Sequence, residues 1–156
     1  MRRKDCEVTD MDQILDIMSR CDVCRLALND EGYPYILPLN FGMEVVDGQI
    51  ILYFHGAATG TKYELIAKDN RASFEMDCSH QLVLDNENCK CTMEFESVIG
   101  RGLVEIVPDE DKLRALKILM KQYRSGDFPF SQAAVPRTTV MKLTVSELHG
   151  KSKIKR

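Results

Sequence analysis

Between Tyr33 and Phe41 every odd position is large and apolar (Tyr33, Tyr35, Leu37, Leu39, Phe41), while Pro34 and Pro38 hold even ones. A period of two predicts a strand with one buried face. Proline has no N–H to give to a ladder, so this strand must be bulged or carry its proline nitrogens away from a neighbour. Backbone groups around Pro38, Leu39 and Asn40 are then free to meet something other than a strand. The strand belongs to a longer stretch, Tyr33 to Ile66, in which a second β run, a loop of Gly, Ala and Thr, and a helix start follow one another.

Val46-Asp47-Gly48-Gln49 supplies a hairpin turn through its Asp-Gly pair, and Ile50 to His55 is the returning strand. Gly56 to Thr61 is too small-sided to pack a core, so backbone there can approach a ligand closely. It opens a helix running to about Lys68 with Leu65 and Ile66 inward. A helix N-terminus offers unpaired N–H groups and positive dipole, and with the Thr61 hydroxyl and the Lys62 ammonium it suits a phosphate; a surface lysine on a surface helix is the plain alternative. His55 closes the strand, which puts its ring at a sheet rim beside that loop as a ligand-facing or a structural histidine. No paired acid or nucleophile accompanies it, so no catalytic residue is assigned.

Elsewhere, Met11 to Met18 has helical spacing with Thr9 or Asp10 as its cap. Val23 to Leu28 reads as a strand, Asn29 to Gly32 as a turn, and Ala72, Phe74 and Met76 mark a further strand. Cys91 to Val107 is the longest β candidate. Its first half fits burial of odd positions and its second half even ones, which predicts a β-bulge at Ser97 to Gly100. Pro108 opens a helix with an acidic first turn and a stripe of Leu113, Leu116, Met120 and Tyr123. Thr139 to Val145 is a last strand, and Lys151 to Arg156, like Arg2-Arg3-Lys4, reads as a solvated basic tail.

Strand runs joined mainly by hairpins, with few helices, indicate a mainly β protein: an antiparallel barrel or sandwich with peripheral helices, in one domain of 156 residues. Neither GxGxxG nor GxxxxGK[ST] occurs. The net charge of -3 argues against a nucleic-acid partner. No apolar run of signal-peptide or membrane-spanning length is present, so a cytoplasmic location and no membrane partner are expected. Six cysteines in such a compartment read as free thiols. Cys21 and Cys24, with Cys78, His80, Cys89 and Cys91, have the elements of a zinc site but not the paired CxxC spacing of a ribbon, so no metal is assigned.

Four motifs, YPYILPLNFG (33 to 42), LYFHGAATGTKYELI (52 to 66), RASFEMD (71 to 77) and SVIGRGLVEI (97 to 106), span most of the domain. In this combination and order the chain resembles the pyridoxamine 5′-phosphate oxidase-like FMN-binding split β-barrel superfamily, and most closely its nitroimidazole-resistance branch. The resemblance implies a six-stranded antiparallel Greek-key split barrel that forms a homodimer, with FMN in the grooves between subunits. Leu37, Pro38, Leu39, Asn40 and Phe41 would line the isoalloxazine through backbone groups, and His55, Gly56 and Ala57 would continue that wall. Thr61 and Lys62 would hold the FMN phosphate; Ser97, Val98, Ile99 and Gly100 would reach the same flavin from the other subunit. The chain lacks the arginine-containing C-terminal segment of true pyridoxamine phosphate oxidases, which argues against vitamin B6 as substrate. Reduction of a small electrophile such as a nitro compound is implied instead. A flavin-binding module without turnover, or a haem barrel using His55 and His80, are the alternatives.

Overall fold

The computed structural model describes residues 3–131 and 133–154. The first two and last two residues, part of the expected basic tails, lie outside the described residues. Eight strands form one antiparallel sheet in the order β3-β2-β6-β7-β8-β5-β4, with β1 pairing β8 off this path. They are β1 (Glu7–Val8), β2 (Cys24–Asn29), β3 (Pro34–Leu39), β4 (Phe41–Val46), β5 (Gln49–Gly56), β6 (Arg71–Asp85), β7 (Lys90–Ile106) and β8 (Thr139–Ser152). The sheet is larger than the six strands expected. Every strand from β2 to β8 sends side chains into a single core, among them Leu26, Phe41, Leu52, Phe54, Met76, Val98 and Leu143. Among the described residues β3 and β4 do not pair, so the barrel is split between them, with Asn40 the one residue joining the two edges. Proline is tolerated in β3 because β3 bonds only to β2.

Local chemistry accounts for the turns. Asp47 and Gly48 both have positive φ (50° and 79°) between the paired residues Val46 and Gln49, the two-residue turn whose twist matches its strands. Helix α1 (Met11–Arg20) is capped by Asp10, whose carboxylate accepts the Gln13 N–H at 2.9 Å. It buries Ile14, Ile17 and Met18, each worth about 1.5–3 kcal/mol of transfer free energy. Helix α2 (Thr61–Lys68) buries Leu65 and Ile66. No described helix is long and apolar enough to cross a membrane.

Helix α3 (Lys112–Tyr123) departs from expectation. A 3-10 turn, Asp109–Asp111, precedes it, and its buried residues are Lys112, Ala115, Leu116 and Leu119, whereas Leu113 and Tyr123 are 44% and 39% exposed. The contact with β4 sets this phase: a Cβ on Gly42 would fall on the Leu119 backbone, so the glycine lets the helix lie directly against the strand.

The bulge expected at Ser97 to Gly100 is not there. In β7 the even positions Glu96, Val98, Gly100, Gly102 and Val104 are all buried, without a change of phase. Its neighbours carry the irregularities instead: β6 between Cys78 and Gln81, and β8 where Ser146 is the extra residue opposite Arg101 and Gly102. The pattern misleads because Glu96 is buried, accepting bonds from Arg20 (2.6 Å), Ser79 (3.1 Å) and Ser152 (3.2 Å). Lys151 and Ser152, expected in a tail, are strand: Lys151 pairs with both Glu7 and Ser97.

Candidate functional site

The small-residue loop after β5 forms a corner. Gly60, with φ of 148°, starts α2, and no side chain caps the helix N-terminus. The Tyr63 hydroxyl donates to the Ala57 carbonyl at 2.7 Å, and the Lys62 ammonium lies 4.6 Å over the Tyr63 ring. A Cβ on Gly56 would sit 3.0 Å from both the Lys62 Nζ and the Tyr63 hydroxyl. Among the described residues no carboxylate pairs with Lys62. An ammonium without a counterion, beside an uncapped helix start and glycine backbone, is a place where an anion is stabilised.

At the β3–β4 junction Leu37 and Leu39 point toward the core and Pro34 and Pro38 are exposed. Asn40 donates through Nδ2 to the Asp22 carbonyl at 3.3 Å. Phe41 is fully buried, and its N–H donates to the Tyr123 hydroxyl at 2.9 Å. That hydroxyl in turn donates to the Asp22 carbonyl at 2.8 Å. The Phe41 amide is therefore engaged inside the protein, and Tyr123, read from sequence as a core residue, fixes the junction.

A cavity of about 670 Å³ opens on the outer face of the sheet. It is built from two successive outward rungs across five strands. One runs from β3 through Arg25, Glu75 and Ile99 to His149, and the next through Ile36, Ala27, Ser73 and Arg101 to Glu147. Between them Phe74 and Gly100 pair and turn toward the core; a Cβ on Gly100 would lie 2.5 Å from the Phe74 ring. On one rim Arg25 Nη1 reaches Glu75 (3.0 Å) and Asp77 (2.5 Å), and His80 contacts Asp77 at 2.8 Å. Burial, with the Asp77 charge added, raises the Glu75 carboxyl above its usual value. On the other, Glu147 accepts from His149 at 2.9 Å and faces Arg101 at 3.6 Å. The His149 hydrogen bond, aided by the Arg101 charge, holds Glu147 below the usual carboxylate range. The sequence reading missed Arg25, Arg101, Glu147 and His149. Outward alternation on three strands is visible in the sequence, but the rung that unites them is not.

The sequence-derived residues fall into separate groups. Thr139 pairs with Gly56 at one end of β8, and Leu148 and His149 pair with Gly100 and Ile99 toward the other. Nine residues of strand separate them, roughly 30 Å. Within one chain, then, the corner of Gly56, Ala57, Thr61 and Lys62 lies far from Ser97 to Gly100. Of the latter, Val98 is in the core, Ser97 is half-buried, and Ile99 and Gly100 meet the outer cavity. Because Phe54 faces the core, His55 faces the other way, into a cavity of about 150 Å³ with Leu116, Leu119, Phe130 and Val135.

All six cysteines are free; Cys21 and Cys24 are buried, Cys89 and Cys91 exposed. Among the described residues no group of three or more His, Cys, Asp or Glu side chains is arranged to hold a metal.

The family model described as pyridoxamine 5′-phosphate oxidase matches residues 10–152. Among solved structures, a candidate 5-nitroimidazole antibiotic resistance protein of Bacteroides thetaiotaomicron is 34% identical, with 93% of this chain and 85% of that one covered and a TM-score of 0.81. The flavocytochrome Anf3 of Azotobacter vinelandii (18% identity, 99% and 72% covered, TM-score 0.80) shares the fold. So does the FAD and heme binding protein of Mycobacterium smegmatis (19%, 95% and 74%, 0.80). A search of curated proteins gives no match. The family model spans nearly the whole sheet, and the 34% identical structure covers 93% of the chain. The chain belongs to the pyridoxamine 5′-phosphate oxidase-like split-barrel superfamily, in its nitroimidazole-resistance branch.

Proposed function

We propose that the protein binds FMN and reduces a small electrophile such as a nitro compound. The observation that carries this reading is the corner after β5, where the Lys62 ammonium, the uncapped start of α2 and the Gly56 backbone converge. These residues fit a phosphate monoester in charge and in hydrogen-bonding capacity. Thr61 adds a hydroxyl. Leu37 to Asn40 and His55, Gly56 and Ala57 line the isoalloxazine; Phe41 contributes through groups other than its engaged amide. Bound flavin supplies the two-electron chemistry, while the chain binds and orients.

Two copies are required on this reading, because Ser97 to Gly100 lie too far from the phosphate corner of their own chain. The outer face that would receive the partner carries exposed Ile36, Ile99 and Leu103, an apolar set of the kind that marks an interface. Neighbours of the same fold that are described as flavocytochrome and as FAD and heme binding raise the haem alternative. The phosphate corner of Lys62 and the start of α2 is the observation that favours flavin.

Titration of the purified chain with FMN and with riboflavin, followed by visible absorption, tests the reading. Saturable uptake with preference for FMN is expected, together with a dimeric mass by sedimentation. Failure to take up either flavin overturns it.

A further inference from the structure

Cys21 and Cys78 are set side by side by the fold, and neither the phosphate corner nor the outer cavity uses them. Cys21 follows the last residue of α1, and Cys78 lies in β6 where its pairing with β7 shifts register, next to Ser79 with φ of 59°. Both thiols donate to one carbonyl: Cys21 Sγ reaches the Ile17 oxygen at 3.3 Å and Cys78 Sγ the same atom at 3.9 Å. The two sulfurs also hydrogen-bond to each other. We propose that Cys78 is a peroxide-reactive thiol, that Cys21 is its resolving partner, and that the two close into a disulfide within one folded chain. The inference goes beyond the flavin reading and does not depend on it.

Burial assigns the two roles. Cys78 is partly exposed, whereas Cys21 is 3% exposed. Burial first, then the neighbouring Cys78 sulfur, raises the Cys21 thiol well above its ordinary value. By itself Cys21 therefore stays protonated and inert toward oxidants. Around Cys78 stand groups able to hold an added oxygen: Arg20 Nη1 and Ser79 Oγ each lie 3.6 Å from its sulfur. Cys78 pairs with Glu96, and Arg20 of α1 meets both, so the site is on the α1 side of the sheet and off the outer face assigned to a second copy. Cys24, the other cysteine of Cys21-Asp22-Val23-Cys24, is fully buried in β2, and the bonds of the Cys21 thiol run to Ile17 and Cys78 instead. Among the described residues no further ligand joins the pair in a metal-holding group, which leaves two-electron oxidation as its chemistry.

Hydrogen peroxide is the oxidant. In the first step its O–O bond breaks, one oxygen joins the Cys78 sulfur to give a sulfenic acid, and the other leaves as water with the thiol proton. In the second step the Cys21 sulfur bonds to the Cys78 sulfur, the S–O bond breaks, and the hydroxyl departs with the Cys21 proton as a second water. The bridge ties the end of α1 to β6. The segment it fastens carries the Cys21 carbonyl, which accepts from Gln122 at 3.0 Å, and the Asp22 carbonyl, which accepts from Tyr123 and Asn40. Oxidation thus secures the chain that supports the β3–β4 junction, and a cross-link between positions so far apart in sequence also constrains the unfolded chain.

The test treats the folded chain carrying Cys89→Ser and Cys91→Ser, which keeps the exposed thiols out of the readout, with hydrogen peroxide. Remaining thiols are then blocked and peptides are mapped by mass spectrometry without reduction. A cross-linked peptide joining Cys21 to Cys78, lighter by two hydrogens than its parts, is expected, together with a Tm above that of the reduced protein. Cys78→Ser in the same background is expected to leave Cys21 unoxidised and to remove the rise in Tm. Cys21→Ala is expected to halt the chemistry one step earlier, with Cys78 trapped by dimedone as its sulfenic acid; should that variant fail to fold, the other two peptide maps decide. If peroxide leaves both thiols free, joins either to a different cysteine, or produces the bridge only in denaturant, the proposal is overturned. A bridged chain with an unchanged Tm overturns the fastening role.

Discussion

The Tyr123 hydroxyl accepts the Phe41 N–H at 2.9 Å and donates to the Asp22 carbonyl at 2.8 Å. One oxygen at the end of α3 thus ties together the start of β4 and the segment between α1 and β2. Beside it, Gln122 Nε2 donates to the Met18, Ser19 and Cys21 carbonyls at 3.0–3.2 Å. The split in the barrel is held from outside by this pair of side chains, where sheet hydrogen bonds are missing.

Tyr123→Phe leaves the Phe41 N–H without its partner and the Asp22 carbonyl with Asn40 alone, while keeping the ring. A loss of about 1–3 kcal/mol is expected, which for a chain of this size lowers Tm by roughly 2–4 °C per kcal/mol. Thermal unfolding measures it; an unchanged Tm would show that water replaces the hydroxyl at no cost.

Arg20 Nη1 lies 2.6 Å from Glu96 Oε2, and Glu96 is 4% exposed. Burial acts to raise the Glu96 carboxyl, but the Arg20 hydrogen bond and charge outweigh it, with Ser79 and Ser152 helping, and the net direction is downward. A folded-state value below the unfolded one gives stability that is present above the unfolded value, about 4.3, and is lost as pH falls through the folded one. Glu96→Gln should therefore cost about 1.5–3 kcal/mol near neutrality, and its deficit should shrink on acidification below about pH 4. Denaturant midpoints across that range decide the matter, and a deficit independent of pH would remove the charge from the explanation.

Gly42→Ala places a methyl against the Leu119 backbone, which a side-chain rotation cannot relieve. Overpacking of this kind costs about 1–3 kcal/mol. Chemical denaturation should show the loss, and a crystal structure of the variant should show α3 displaced from β4.

Lys62→Gln removes the ammonium at the corner and leaves the helix start in place. FMN binding should weaken by about 1.5–3 kcal/mol, the value of a hydrogen bond to a charged group, whereas riboflavin, which lacks the phosphate, should bind as before. Equal losses for the two ligands would place the phosphate elsewhere.

The thiols should divide by position. Cys89 and Cys91 are exposed at the β6–β7 turn and should react quickly with a disulfide reagent in the native protein. Cys21 and Cys24 are buried, and burial raises both thiols well above their ordinary value, so they should react only on unfolding. Mass spectrometry of the native protein after brief labelling separates the two classes.

The residues that were legible in the sequence are those whose environment is set by near neighbours. Asp47-Gly48 specifies its turn, Asp10 its cap, and Gly56 to Lys62 the loop and helix start, because each depends on backbone preferences within a few positions. The alternation of Tyr33 to Phe41 marked a strand, but the structure ends it at Leu39: β3 pairs only with β2, and Phe41 opens β4. Where sequence reading failed, a distant residue had changed the environment. Arg20 makes burial of Glu96 possible and so reverses the apparent face of the first half of β7, and the contact between Gly42 and Leu119 turns α3 away from its apparent stripe.

Sequence by itself determined most of the strands and the turns, which follow from short-range pattern and backbone chemistry, and its motifs carried the family. Tertiary structure alone decided that residues as far apart as Arg25 and His149 stand on one outward rung of the sheet. Register between strands is fixed by packing across the whole core, and no local stretch of chain encodes it.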